Sequence, residues 1–163
     1  AKDPKERIPD AMTAYARLTD VLEQLRDLDD LVHSAFDQEP HVQVTTDEDD
    51  SSRRRLVKVS LANGRGQTVV LERATPPEGD ELLLIYSLCC EADSQFYESA
   101  LRLKGRMYHG GVAIREFHGK PMFCVVNTYP WATVDVEEIR VSTLEVAEHA
   151  DAVEQDLTGE DVH

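Results

Sequence analysis

The sequence predicts an α+β fold, an antiparallel sheet packed with helices in the order helix, four strands, helix, two strands, helix. Three observations carry this. Apolar residues recur at spacings of three and four in three separate stretches, as on a helix with one buried face. Between those stretches lie short runs that alternate apolar and polar residues, or are apolar throughout, as strands do. The connections between runs are too short for parallel crossovers, which need about a dozen residues or more, so neighbouring strands run antiparallel.

Residues 1–7, AKDPKER, are polar and carry no pattern. Ile8, Met12, Tyr15, Leu18, Leu22, Leu25, Leu28, Val32 and Phe36 then mark an amphipathic helix, or two in succession, stopped by Pro40. A helix from 8 to 36 is longer than a compact module needs. Its first half either projects and pairs with another chain or lies across its own sheet. HVQVTT is a short alternating strand, and TDEDDSSRRR is a charged connection. LVKVSLA sets Val57, Val59 and Leu61 against Lys58 and Ser60, as a half-buried strand does. Asn63-Gly64-Arg65-Gly66 supplies positive-φ positions for a hairpin turn, and QTVVLER returns. After the turn TPPEGDE, LLLIYSLCC is apolar without alternation, which predicts a central strand covered on both faces or nearly so.

Asp93-Ser94 caps a second helix, with Phe96, Ala100, Leu103 and Met107 on one stripe and Tyr97 and Leu101 beside it. Gly105 weakens its end and Gly110-Gly111 finishes it. GVAIREF and MFCVVNT flank His118-Gly119-Lys120-Pro121, a second hairpin. Asp135 with Glu138 three residues on is a capping box opening the last helix. There Ile139, Thr143, Val146, Ala150, Val153 and Leu157 form the apolar stripe. Glu145, Glu148, Glu154 and Asp156 largely occupy the solvated face, and Gly159 marks the end.

A chain of 163 residues suits one domain and buries a core without disulfides or metal. Its formal net charge of -15 sets it against phosphate backbones and anionic membrane surfaces, so neither nucleic acid nor a membrane is an expected partner. No apolar run approaches the ~18 residues that span a bilayer, and no secretory leader is legible. Cys89, Cys90 and Cys124 are odd in number, with two adjacent, which makes a poor disulfide framework. They read as buried thiols of a reducing compartment, which places the protein in the cytoplasm.

No constellation carries a reaction. His109-Gly110-Gly111 has the look of an esterase oxyanion-hole loop, but no Gly-x-Ser-x-Gly turn accompanies it. Cys89 and Cys90, adjacent on a strand, point to opposite faces and cannot easily share a metal ion with Cys124, His109 or His118. Asp47-Glu48-Asp49-Asp50 lacks the spacing and glycine of a calcium loop; with Arg53-Arg54-Arg55 behind it, it reads as a locally neutralised hairpin end. Gly64-Arg65-Gly66 lacks the third glycine of a dinucleotide site. No catalytic residue, metal or cofactor is assigned. The expected partner surface comprises Leu18, Leu22 and Leu25 on the first helix and Trp131. That residue is the single tryptophan, in the exit Tyr129-Pro130-Trp131. It either folds back over the core edge or stands out as an interface anchor.

The element order over residues 22–158, and the close in which MFCVVNT leads through a linker to VDVEEIRVSTLEVAEHADAVEQDL with its small Ala150-Asp151 step, resemble a known family. It is the YbjN-like group of bacterial proteins with the type III secretion chaperone-like fold, also described as sensory transduction regulators. The long amino-terminal extension and the acidic DEDD segment depart from that pattern. The resemblance implies homodimers that bind protein or peptide rather than catalyse a reaction. On this reading residues 1–21 are an amino-terminal extension, helical from about residue 8. Residues 22–158 are an α+β chaperone-like binding domain, and 159–163 are a tail. The function expected is a chaperone-like or regulatory binding module acting as a homodimer. The alternative is a small cysteine- or histidine-dependent hydrolase or transferase.

Overall fold

The structure, a computed structural model, describes residues 11–46 and 53–159. The first helical stretch is two helices, α1 (Ala11–Leu25) and α2 (Leu28–Phe36). Asp27 divides them. Its backbone is extended, and its carboxylate accepts the N–H groups of Asp29 and Asp30. That is the N-cap arrangement, which satisfies donors a new helix leaves open. Residues 8–10, expected in the first turn, lie outside the described residues. α2 stops at Phe36, ahead of Pro40.

The strands follow as β1 (Val42–Thr46), β2 (Arg54–Ser60), β3 (Gly66–Ala74) and β4 (Leu82–Glu91). A 3-10 turn (Ser94–Phe96) then leads into α3 (Tyr97–Lys104), followed by β5 (Gly111–Phe117), β6 (Lys120–Pro130) and α4 (Val136–Thr158). They form one six-stranded sheet ordered β1-β2-β3-β4-β6-β5, with every neighbouring pair antiparallel. The fold is α+β as the sequence predicts. Of the two readings of the first helical stretch it takes the one with two helices, and it departs in where the next helix ends: α3 stops at Gly105, before Gly110-Gly111.

The register sorts the side chains. Val57, Val69, Leu71, Leu83, Ile85, Phe123 and Val125 share one face and are buried. α4 lies on that face across β3, β4 and β6, α2 flanks it over β1 and β2, and α3 covers β5. Ile139, Val146 and Val153 of α4 are fully buried there, and each such side chain contributes about 1.5–3 kcal/mol. Among the described residues no helix packs on the opposite face, yet from Leu82 to Cys90 every residue of β4 is buried or half-buried, so the strand is nearly covered on both faces as expected. Side chains close part of that face instead. The Arg115 guanidinium lies 4.0 Å from the Tyr86 ring centroid, and the Tyr86 hydroxyl donates to Glu72 at 3.0 Å.

Two turns show why their residues are there. Phe117 pairs with Lys120, so His118 and Gly119 make a two-residue hairpin turn, with φ of 50° and 76°. Both positions of a type I′ turn require positive φ. At the β2–β3 tip Gly64 has φ of 83°. This tip is fastened to α4: Asn63 Nδ2 donates to Asp151 Oδ2 at 3.0 Å, and Arg65 forms an ion pair with the same carboxylate.

α4 has the expected capping box, Asp135 with Glu138, and ends at Gly159 with φ of 66°. Its buried face is wider than one stripe. Ser142, Ala147, Asp151 and Glu154 join it because the helix is wedged between the sheet and α2. Glu154, expected on the solvated face, is 1% exposed and accepts a hydrogen bond from Gln67 Nε2 at 2.9 Å. Gln67 in turn accepts from Ser87 at 3.0 Å. A carboxylate four residues after Ala150 and three before Leu157 stands on the core side whatever its charge, and it is tolerated there because it is hydrogen-bonded. The other three carboxylates differ in degree: Glu148 and Asp156 are exposed and Glu145 is half-buried.

Candidate protein-binding site

Among its described side chains, α1 carries four large apolar residues in water. Met12, Tyr15, Leu18 and Val21 are 77%, 70%, 60% and 51% exposed, and the helix makes no extensive contact with the sheet or with the other helices. A 15-residue helix is marginal on its own, because helices of this length draw most of their stability from packing. Leu22 and Leu25 continue the stripe in sequence; their side chains lie outside the described residues.

The base of α1 is held by the residue after Leu25. Arg26 donates through Nη1 to the Ala132 carbonyl at 2.9 Å and through Nη2 to the Val134 carbonyl. Its guanidinium stands 5.4 Å from the centroid of the Trp131 ring, and Arg73 lies over the same ring at 4.1 Å. Trp131 is 2% exposed. It has folded back over the edge of the core, and in this chain it is no protruding anchor. Its backbone N–H donates to the Glu81 carbonyl at 2.8 Å. The Glu81 carboxylate pairs with Arg73 and Arg53. Thus Leu18, Leu22 and Leu25 share one helix, and Trp131 belongs to the socket beside which that helix ends. Arg26 gave no signal in the sequence, since one arginine within a helical pattern is an ordinary polar position.

The three thiols are buried, and burial raises the pKa of each; the Glu154 carboxylate adds to the effect at Cys89 and Cys90. Among the described residues none is hydrogen-bonded to a histidine, and no three His, Cys, Asp or Glu side chains are grouped to hold a metal ion. Asp47–Asp50 lies outside the described residues. The arginines behind it pair elsewhere as well, Arg53 with Glu81 and Arg55 with Asp29 at 2.7 Å. The Arg55 hydrogen bond lowers the Asp29 pKa.

The thiols give a signed pH prediction. A raised folded-state pKa contributes stability that is complete below the unfolded value, about 8.5 for cysteine, and is lost as pH rises above it. Tyr86, raised chiefly by burial, acts the same way at higher pH. The denaturation midpoint should therefore fall between neutrality and about one pH unit above the ordinary thiol value. Native protein should react slowly with a thiol reagent and quickly once unfolded. A fast-reacting native cysteine would contradict this and point to a thiolate nucleophile.

The chain matches no protein-family model and no curated protein sequence.

Proposed function

We propose that the chain is a non-catalytic protein- or peptide-binding module, chaperone-like or regulatory, that acts as a homodimer in the bacterial cytoplasm. The exposed stripe of α1 carries this reading. Large apolar side chains gathered on one projecting helix are the mark of an interaction surface. A second copy supplies the cover at once, because two-fold pairing sets the same stripe against itself. The element order shared with the type III secretion chaperone-like proteins supports pairing and ligand binding. Among the described residues no helix is long and apolar enough to cross a membrane.

The hydrolase or transferase alternative needs an ionisable thiol or a partnered histidine, and the neutral buried thiols favour the binding reading. Light scattering tests pairing. At micromolar concentration the mass should be twice 18.3 kDa, and Leu18→Asp with Leu22→Asp should halve it. A native mass of 18.3 kDa would overturn the dimer.

A further inference from the structure

The tip between β2 and β3 carries Asn63 followed by Gly64, both exposed. An asparagine amide before glycine is open to attack by the glycine backbone nitrogen, because glycine has no side chain to stand in the way. Nothing else crowds the position. Among the described residues, no atom beyond its chain neighbours lies within 4 Å of where a Cβ on Gly64 would sit. The tip also prepares the amide. The Arg65 backbone N–H donates to Asn63 Oδ1 at 2.9 Å. Negative charge develops on that oxygen as a nucleophile adds to Cγ, so a donor fixed there lowers the barrier. The same bond folds the side chain back over the Gly64 peptide, as an Asx turn does.

The attacking nitrogen is itself engaged. The Gly64 N–H donates to the Leu61 carbonyl at 3.0 Å and has to leave it. This is one neutral hydrogen bond at an exposed turn, and breaking it slows the reaction by roughly tenfold at most. The chain's second asparagine is placed differently. Asn127 is buried, precedes Thr128 and donates to Ser142 Oγ at 2.6 Å.

We propose that Asn63 is a self-modification site, and that its deamidation through Gly64 releases the β2–β3 tip from α4. The Gly64 nitrogen bonds to Asn63 Cγ as the Cγ–Nδ2 bond breaks. The Gly64 proton passes through solvent to the departing nitrogen, which leaves as ammonia. Water then opens the resulting succinimide ring. Cleavage of the new bond gives aspartate, and cleavage of the original peptide bond gives isoaspartate, in which the chain runs through the side chain. Water is the only other reactant. Either product puts a carboxylate where Asn63 Nδ2 donates to Asp151 Oδ2 at 3.0 Å. Asp151 is buried and already paired with Arg65, so the new charge faces a like charge and the tie is lost. The site stands apart from α1 and does not depend on how the chain pairs.

Peptide mass spectrometry of the full chain, incubated at neutral pH both native and in urea, tests the chemistry. Asn63 should gain the mass by which OH exceeds NH2 in both, and the native rate should lie within roughly tenfold of the rate in urea. Part of the product should accept a methyl group from an isoaspartyl methyltransferase. Asn127 should stay intact in the native chain. An Asn63 that survives in the native chain while it is lost in urea would overturn the proposal. Asn63→Asp supplies the aspartate product directly and tests the release. The Leu61 and Gly64 amides, both hydrogen-bonded within the tip, should exchange roughly tenfold faster or more, as expected when a hydrogen bond to a charged group is lost. The β4 amides should keep their native protection. Adding Asp151→Asn should restore slow exchange, because the amide then stands on α4 and the carboxylate on the tip. Native exchange at the tip of Asn63→Asp, or no rescue by Asp151→Asn, would overturn the release.

Discussion

Replacing Trp131 with alanine should destabilise the protein by about 3–5 kcal/mol, the range for deleting a buried aromatic side chain. The ring is the largest fully buried side chain in the structure, and its loss opens a cavity that the backbone cannot close. The cut also strips the ring from beneath two guanidinium groups, Arg26 and Arg73, and each such contact contributes about 0.5–2 kcal/mol. Trp131→Phe should be far milder, because a smaller aromatic face remains. Trp131 Nε1 also has no hydrogen-bond partner among the described residues, so little is lost with it. Urea denaturation followed by circular dichroism measures both variants. An alanine variant within ~1 kcal/mol of the native chain would contradict the packing described for this connection.

Gly110→Ala should cost about 2–5 kcal/mol, from left-handed backbone strain together with overpacking. Gly110 has φ of 63°, and a Cβ there would lie 1.6 Å from Asn127 Oδ1 and 2.6 Å from the Val126 carbonyl oxygen. The Asn127 side chain cannot simply swing away. It is buried and donates to Ser142 Oγ at 2.6 Å, which ties β6 to α4. The same substitution at Gly64, where nothing lies within 4 Å of the new Cβ, has only the backbone strain to bear. Gly110→Ala should therefore be clearly worse than Gly64→Ala in the same denaturation experiment. Equal losses would mean that the contact with β6 is not as close as the structure places it.

The sheet was legible because its sequence signals are local. Alternation in LVKVSLA, the positive-φ residues of both hairpins and the unbroken apolar run of β4 each follow from one strand and its turn. The capping box at Asp135 was legible for the same reason. What escaped depends on tertiary neighbours. Glu154 was assigned to solvent by its charge, yet Gln67, from a strand far away in sequence, receives it in the core. Asp27 opens α2 by accepting the N–H groups of Asp29 and Asp30, while the apolar spacing runs on through the break and does not mark where it falls. Trp131 admitted two readings because a proline exit fixes where the chain leaves the sheet and not which arginines will meet the ring. Of the candidate surface, the α1 stripe was visible as a spacing. The tie between Asn63 and Asp151 was not, since the β2–β3 tip and α4 meet only once the sheet and the last helix are placed.

Hydrogen exchange of the α1 amides tests most directly that this helix is the seam of a homodimer. A helix of 15 residues with Met12, Tyr15, Leu18 and Val21 in water opens readily and protects its amides little. If two copies cover each other, amides 11–25 should be protected at high protein concentration. That protection should fade on dilution and vanish in Leu18→Asp, while the amides of β4 stay protected throughout. Exchange of residues 11–25 near the rate of a free peptide at every concentration would contradict the account.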